Sequence, residues 1–128
     1  CHDRVRRLGS GMDSIRDLTT RINAFRDARD WKQFHNPKDM AVSISIESAE
    51  LLEQFQWKTA EQCETHLQEN REAVADELAD VAIYLFELAD LLEMNLGQEM
   101  LRKLDKNSVK YPVQKAKGSN KKYDQLDQ

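Results

Sequence analysis

Helix breakers are scarce in this sequence: two prolines and four glycines in 128 residues. So few breakers permit long uninterrupted helices. Cysteine is scarcer still. The first eleven residues, CHDRVRRLGSG, are short, basic and close on Gly-Ser-Gly before Met12, so residues 1–11 read as a cloning leader rather than native sequence. Without them Cys63 is the single thiol, no internal disulfide can form, and a reducing cytoplasm is the expected location. No apolar run approaches the roughly 20 residues that span a bilayer, and nothing resembles a signal peptide. Positive charge is also short. The chain carries −4, and −6 from Met12 onward, since Arg4, Arg6 and Arg7 outweigh Asp3 by two in the leader. That balance argues against broad binding of nucleic-acid polymers. A Walker loop and a dinucleotide fingerprint are both missing, which excludes a P-loop mechanism.

What is present is a charged, helix-patterned chain, 33% Asp, Glu, Lys and Arg and 40% hydrophobic, long enough for one domain. Ile15, Leu18, Ile22 and Phe25 recur at helical spacing and predict a first helix from Ser14 to Trp31, capped by Asp13. Asn36-Pro37 marks the start of a second, running to Trp57. A short connector helix follows from Thr59 to Gln68. The third main helix, Arg71 to Met94, is apolar nearly all round and is expected to be buried on most faces. A fourth extends from Asn95 or Gly97 to Tyr111, where Pro112 stops it. The expected fold is all-α, a bundle of four main helices plus the connector, assembling as an oligomer. The domain spans residues 12–112, and 113–128 form a basic tail with little hydrophobic content.

Two carboxylate steps stand out: Glu47-x-x-Glu50, continued to Glu53, and Glu77-x-x-Asp80. Residues three apart share a helix face, with Cβ atoms about 5–6 Å apart. Helix glutamates are commonly solvated groups, and Glu53, Glu61, Glu64, Glu69 and Glu72 fit that description. Glu47, Glu50, Glu77 and Asp80 differ. They sit in apolar stretches with few cations three or four positions away, where unpaired carboxylates are costly. A hard divalent cation resolves the difficulty. All-carboxylate ligation suits Mg²⁺ or Mn²⁺ better than zinc, and a di-iron bundle would want Glu-x-x-His pairs that this chain does not have. Cys63-x-x-His66 alone reads as chance.

Trp31, Phe34, His35, Trp57 and Tyr84 cluster near the acid-bearing segments. Core packing is the default for Phe34; for the others, packing and stacking on a nucleobase are evenly matched. Tyr84 follows Asp80 by four and shares its face. Lys103, Asn107, Lys110 and Tyr111, then Lys117, Lys121 and Lys122, form either a solvated basic end or a set of partners for a polyphosphate.

Taken together, RDWKQFHNPKDM (Arg29 to Met40), ESAELLEQFQW (Glu47 to Trp57), DELADVAIYL (Asp76 to Leu85) and KLDKNSVKYP with its KGSNKKY sequel resemble the all-α nucleotide pyrophosphohydrolases of the MazG type, particularly the dCTP pyrophosphatase-like branch. The resemblance spans roughly Ile15 to Leu126. It implies Mg²⁺-dependent hydrolysis of (d)NTPs between the α and β phosphates, in a role that clears unwanted dNTPs. It further implies metal ligation by Glu47, Glu50, Glu77 and Asp80; in a metal-assisted in-line attack on phosphorus, Glu50 or Glu53 is the expected base. Nucleotide contacts would come from Trp31, His35, Trp57 and Tyr84, and phosphate contacts from Asn107, Lys110, Tyr111 and Lys122, some across a homodimer or homotetramer interface. Two positions depart from the pattern. Ile22 stands where dCTP-preferring relatives carry a histidine, so cytosine selectivity does not transfer, and Ser48 follows Glu47 where a second acid sometimes occurs. The competing readings are a non-catalytic helical oligomeric module and a nucleotide-binding sensor.

Overall fold

The computed structural model describes residues 14–118. The leader at residues 1–11, the predicted cap Asp13, and Lys121 and Lys122 lie outside the described residues. The chain divides into two compact units between Met94 and Asn95.

The first unit contains four α-helices: α1 (Ile15–Ala28), α2 (Pro37–Glu53), α3 (Ala60–Glu69) and α4 (Arg71–Leu91). A three-residue 3₁₀ turn, Lys32–Phe34, links the first two. The long α4 is the hub: α2 packs along it most extensively, and α1 and α3 also lie against it. No strand occurs among the described residues. The second unit carries α5 (Leu96–Lys110) and the four-residue α6 (Val113–Ala116). Asn95 caps α5 by accepting a hydrogen bond from the Gln98 amide.

Local chemistry sets the boundaries. Asn36 accepts from the Asp39 amide at 2.9 Å, and Pro37, whose missing N–H costs nothing there, opens α2. Thr59 and Gln62 form a reciprocal capping box that starts α3. Ser14, rather than Asp13, caps α1, accepting from the Asp17 amide at 3.1 Å. This first helix stops at Ala28, short of Trp31. Asp30 adopts φ +55°, the Trp31 amide reaches back to the Arg26 carbonyl, and the Asp30 amide to that of Asp27. That is a Schellman stop built without glycine. Its customary apolar contact joins Trp31 to Phe25, the rings edge to face at 5.8 Å. The Arg29 guanidinium lies 3.6 Å over the same Phe25 ring. Glu93, φ +56°, ends α4 in the same manner, three residues before the predicted Met94 terminus. The second helix likewise ends early, at Glu53, and Trp57 sits at φ +67° in the turn that follows.

The hydrophobic pattern of α4 is not buried within one chain. Met40 and Val74 are the buried hydrophobic residues among those described, while Leu78 is 59% exposed and Leu52, Ile83 and Leu85 are exposed as well. Helices α1, α2 and α3 all pack on α4, yet several of its apolar side chains stay exposed. Phe34, expected in the core, is exposed because it belongs to the short 3₁₀ turn rather than to a helix with a buried face.

Candidate active site

The two carboxylate steps meet because the helices that carry them, α2 and α4, form the principal packing pair. Carboxylate oxygens of Glu47, Glu77 and Asp80 lie within 4.8 Å of one another. Glu50, one turn from Glu47, stands within hydrogen-bonding reach of both Glu47 and Glu77. Buried Oε2 atoms of Glu47 and Glu77 have no hydrogen-bond partner. Among the described residues no lysine or arginine pairs with any of the four. Burial, reinforced by Glu50 and the charges of Asp80 and Glu77, pushes the Glu47 carboxyl up to about 6. The same causes, burial first and Glu50 next, raise Glu77. Orphaned anionic oxygens in a carboxylate-only set are what a hard divalent cation requires, and the donor set fits one. Glu53, the last residue of α2, is exposed and stands outside the cluster.

From Asp80 an open groove of about 710 Å³ runs between α1 and α4. Ile22, Phe25 and Trp31 form its apolar side, and His35, Tyr84 and Glu87 supply polar groups. Trp31 reaches it through the Schellman stop of α1. Burial and the surrounding carboxylates of Glu47, Glu87, Asp80 and Glu50 raise the Tyr84 phenol, so it stays protonated and can donate a hydrogen bond. Trp31, His35 and Tyr84 therefore gather beside the acids. Trp57 does not: it is 91% exposed in its turn. Asn107, Lys110 and Tyr111 lie at the end of α5 in the second unit, and Lys122 is outside the described residues.

Two buried polar residues escaped the sequence reading, Arg26 (6% exposed) and Glu87 (7%). Arg26 Nε donates to Asp27 at 3.0 Å, and Glu87 Oε2 lies 3.9 Å from His35 Nδ1. The available signal was helical spacing: Glu87 follows Tyr84 by three and Asp80 by seven, on the same face. The Cys63–His66 pair serves the scaffold. His66 Nε2 lies 2.7 Å from Gln54 Oε1 and its ring meets Phe55 edge to face, joining α3 to the end of α2.

Fold and site thus define an all-helical protein whose clustered carboxylates are suited to a divalent cation at the head of an aromatic groove. The MazG-like family model matches residues 42–126. Bovine (Bos taurus) dCTP pyrophosphatase 1 is 37% identical over 119 residues, covering 91% of this chain and 70% of the relative. The Homo sapiens dCTP pyrophosphatase 1 is 36% identical over 115 residues, covering 88% and 68%. The crystal structure of a pyrophosphatase from Archaeoglobus fulgidus superposes with a TM-score of 0.73 at 45% identity, covering 76% of this chain and 91% of its own. The chain belongs to the MazG-like family.

Proposed function

We propose that this protein hydrolyses deoxynucleoside triphosphates between the α and β phosphates, releasing nucleoside monophosphate and pyrophosphate, with Mg²⁺ as its metal and Mn²⁺ as a possible substitute. As a MazG-like chain with pyrophosphatase relatives, it is a nucleoside triphosphate pyrophosphatase. The dCTP pyrophosphatase relatives make dCTP, or a related dNTP, the first substrate to try. The observation that carries the reading is the convergence of Glu47, Glu77 and Asp80, with orphaned oxygens, at the mouth of a groove that holds Trp31 and Tyr84.

In this reading Glu47, Glu50, Glu77 and Asp80 hold the metal, which when bound supplies charge neutralisation at phosphate and polarises the attacking water. Glu50, central to the cluster, takes the proton from that water; Glu53 is the second candidate for the role. Tyr84 donates to an oxygen of the nucleotide, Trp31 stacks on the base, and His35 bounds the groove. Trp57, Asn107, Lys110, Tyr111 and Lys122 contact substrate from a second copy of the chain. The exposed Leu52 and Leu78, which line one apolar hollow between α2 and α4, support such a homodimer or homotetramer, because exposed apolar surface of that kind marks an association surface. No helix among the described residues is long and apolar enough to cross a membrane. Cys63, the free thiol among the described residues, is consistent with cytoplasmic residence, where clearing of the dNTP pool would take place.

Pyrophosphate release measured across the eight common ribo- and deoxynucleoside triphosphates, with Mg²⁺ and with chelator, tests the proposal. The expected result is Mg²⁺-dependent release, greatest with a deoxynucleotide. Absence of release from all eight would contradict it and leave a binding module or sensor.

A further inference from the structure

The groove ends opposite the metal-binding cluster in a second acid that the proposed hydrolysis does not use. Glu87 lines the groove, is 7% exposed, and its buried Oε2 has no hydrogen-bond partner. Its neighbours supply charge without satisfying that oxygen. His35 Nδ1 is 3.9 Å away, beyond hydrogen-bond range, and Arg26 Nε is given to Asp27. Burial raises the Glu87 carboxyl against the opposing pull of His35 and Arg26, a sign of how little water reaches it. A buried acceptor left unmade costs about 1–3 kcal/mol, and because Glu87 lines the groove, a turn of its carboxylate about the Cγ–Cδ bond would offer that oxygen to a donor on the groove's occupant.

Position says which donor. Glu87 follows Asp80 by seven residues on one helix, two turns along the same face, on the order of 10 Å. A nucleotide whose phosphates lie at Asp80 would place its sugar beside Tyr84. Its base would lie against the Phe25–Trp31 pair, whose rings pack edge to face, and bring its far edge to Glu87. We infer that Glu87 is a specificity-determining residue that reads the base edge, its carboxylate accepting from the exocyclic amino group shared by cytosine and adenine. Uracil, thymine and guanine present a carbonyl oxygen at the corresponding place, so oxygen would face oxygen. The inference rests on the nucleotide reading of the groove, but not on catalysis.

The test uses the full-length protein in chelator, titrated with dCMP, dAMP, dUMP, dTMP and dGMP and followed by calorimetry. At least one of dCMP and dAMP should bind tenfold or more tightly than dUMP, and which one identifies the base. Glu87→Ala should bring that ratio to within about twofold. Glu87→Gln should raise dUMP affinity while keeping dCMP or dAMP, because a carboxamide can turn either a donor or an acceptor toward the base. Circular dichroism confirms that the variants fold. A base ratio unchanged in both variants, an equal loss of all five nucleotides, or no base preference in the parent protein would each overturn the inference. Pyrophosphate release on the same samples separates the two proposals. Release with an unaltered base ratio in the variants rejects the role of Glu87 alone. Base-selective binding that Glu87→Ala erases, without release, rejects hydrolysis alone.

Discussion

The two ends of the groove along α4 solve the same problem in different ways. At one end Glu47, Glu50, Glu77 and Asp80 crowd together, and among the described residues no lysine or arginine pairs with them. At the other, Glu87 is more deeply buried and lies near His35 and Arg26. The first cluster sets like charges against one another and is suited to a cation from outside. Beside Glu87 stand Arg26 and the His35 ring, and what its Oε2 lacks is a hydrogen-bond donor. One end is therefore suited to a metal ion and phosphates, the other to an uncharged polar group. A buried acid is thus uninformative until its neighbours are counted.

Substitutions at the two ends should separate them. The largest effect is expected at the metal end: Asp80→Asn or Glu77→Gln should lower kcat for pyrophosphate release by more than ~100-fold, beyond the loss seen when a group merely supporting a metal ligand is removed. Unchanged helicity by circular dichroism would show that the loss is chemical. Next is the response to metal and pH. Glu47 has a folded-state value of about 6, above its ordinary 4.5, so its protonated form favours folding. That contribution is full below pH 4.5 and is lost as pH rises through about 6. Metal-free protein should therefore lose melting temperature across that window. Mg²⁺ at a hundredfold excess over its Kd should restore about 2.7 kcal/mol at pH 7.5, on the order of 10 °C for a chain this size, and have little effect at pH 4.5.

A smaller but more discriminating result concerns sign. Glu47→Gln should raise the melting temperature of the metal-free protein at pH 7.5 and abolish the Mg²⁺ response, because it removes repulsion. Glu87→Gln should leave the Mg²⁺ response intact. Smallest of all, Arg26→Met should cost about 1–3 kcal/mol in urea unfolding by leaving Glu87 and Asp27 with less compensation. If both acids respond alike, the distinction between the two ends fails.

Much of this site could be read from residue spacing. The three-residue steps placed Glu47 with Glu50 and Glu77 with Asp80, and the lack of nearby cations pointed to a metal before any fold was known. Asn36-Pro37 and Thr59 located the starts of α2 and α3 because capping is a local matter. Helix ends were read less well. Asp30, Trp57 and Glu93 adopt left-handed backbone without being glycine, so the stops at Ala28, Glu53 and Leu91 carried no conventional signal. Arg26 and Glu87 were passed over because a charged residue on an amphipathic helix looks solvated until the opposing helix is in place. The apolar circumference of α4 implied burial, yet Leu78, Ile83 and Leu85 stay exposed. A sequence states how much surface must be covered, but not whether the cover comes from the same chain.

The central claim is that these carboxylates hold a divalent cation for hydrolysis at the α–β bond. Product analysis by ³¹P NMR of dCTP incubated with the protein tests it most directly, in Mg²⁺ and in chelator, beside the Asp80→Asn variant. The account predicts dCMP and pyrophosphate in equal amounts with Mg²⁺, and intact dCTP in both controls. Orthophosphate with dCDP, or undiminished turnover by Asp80→Asn, would contradict it.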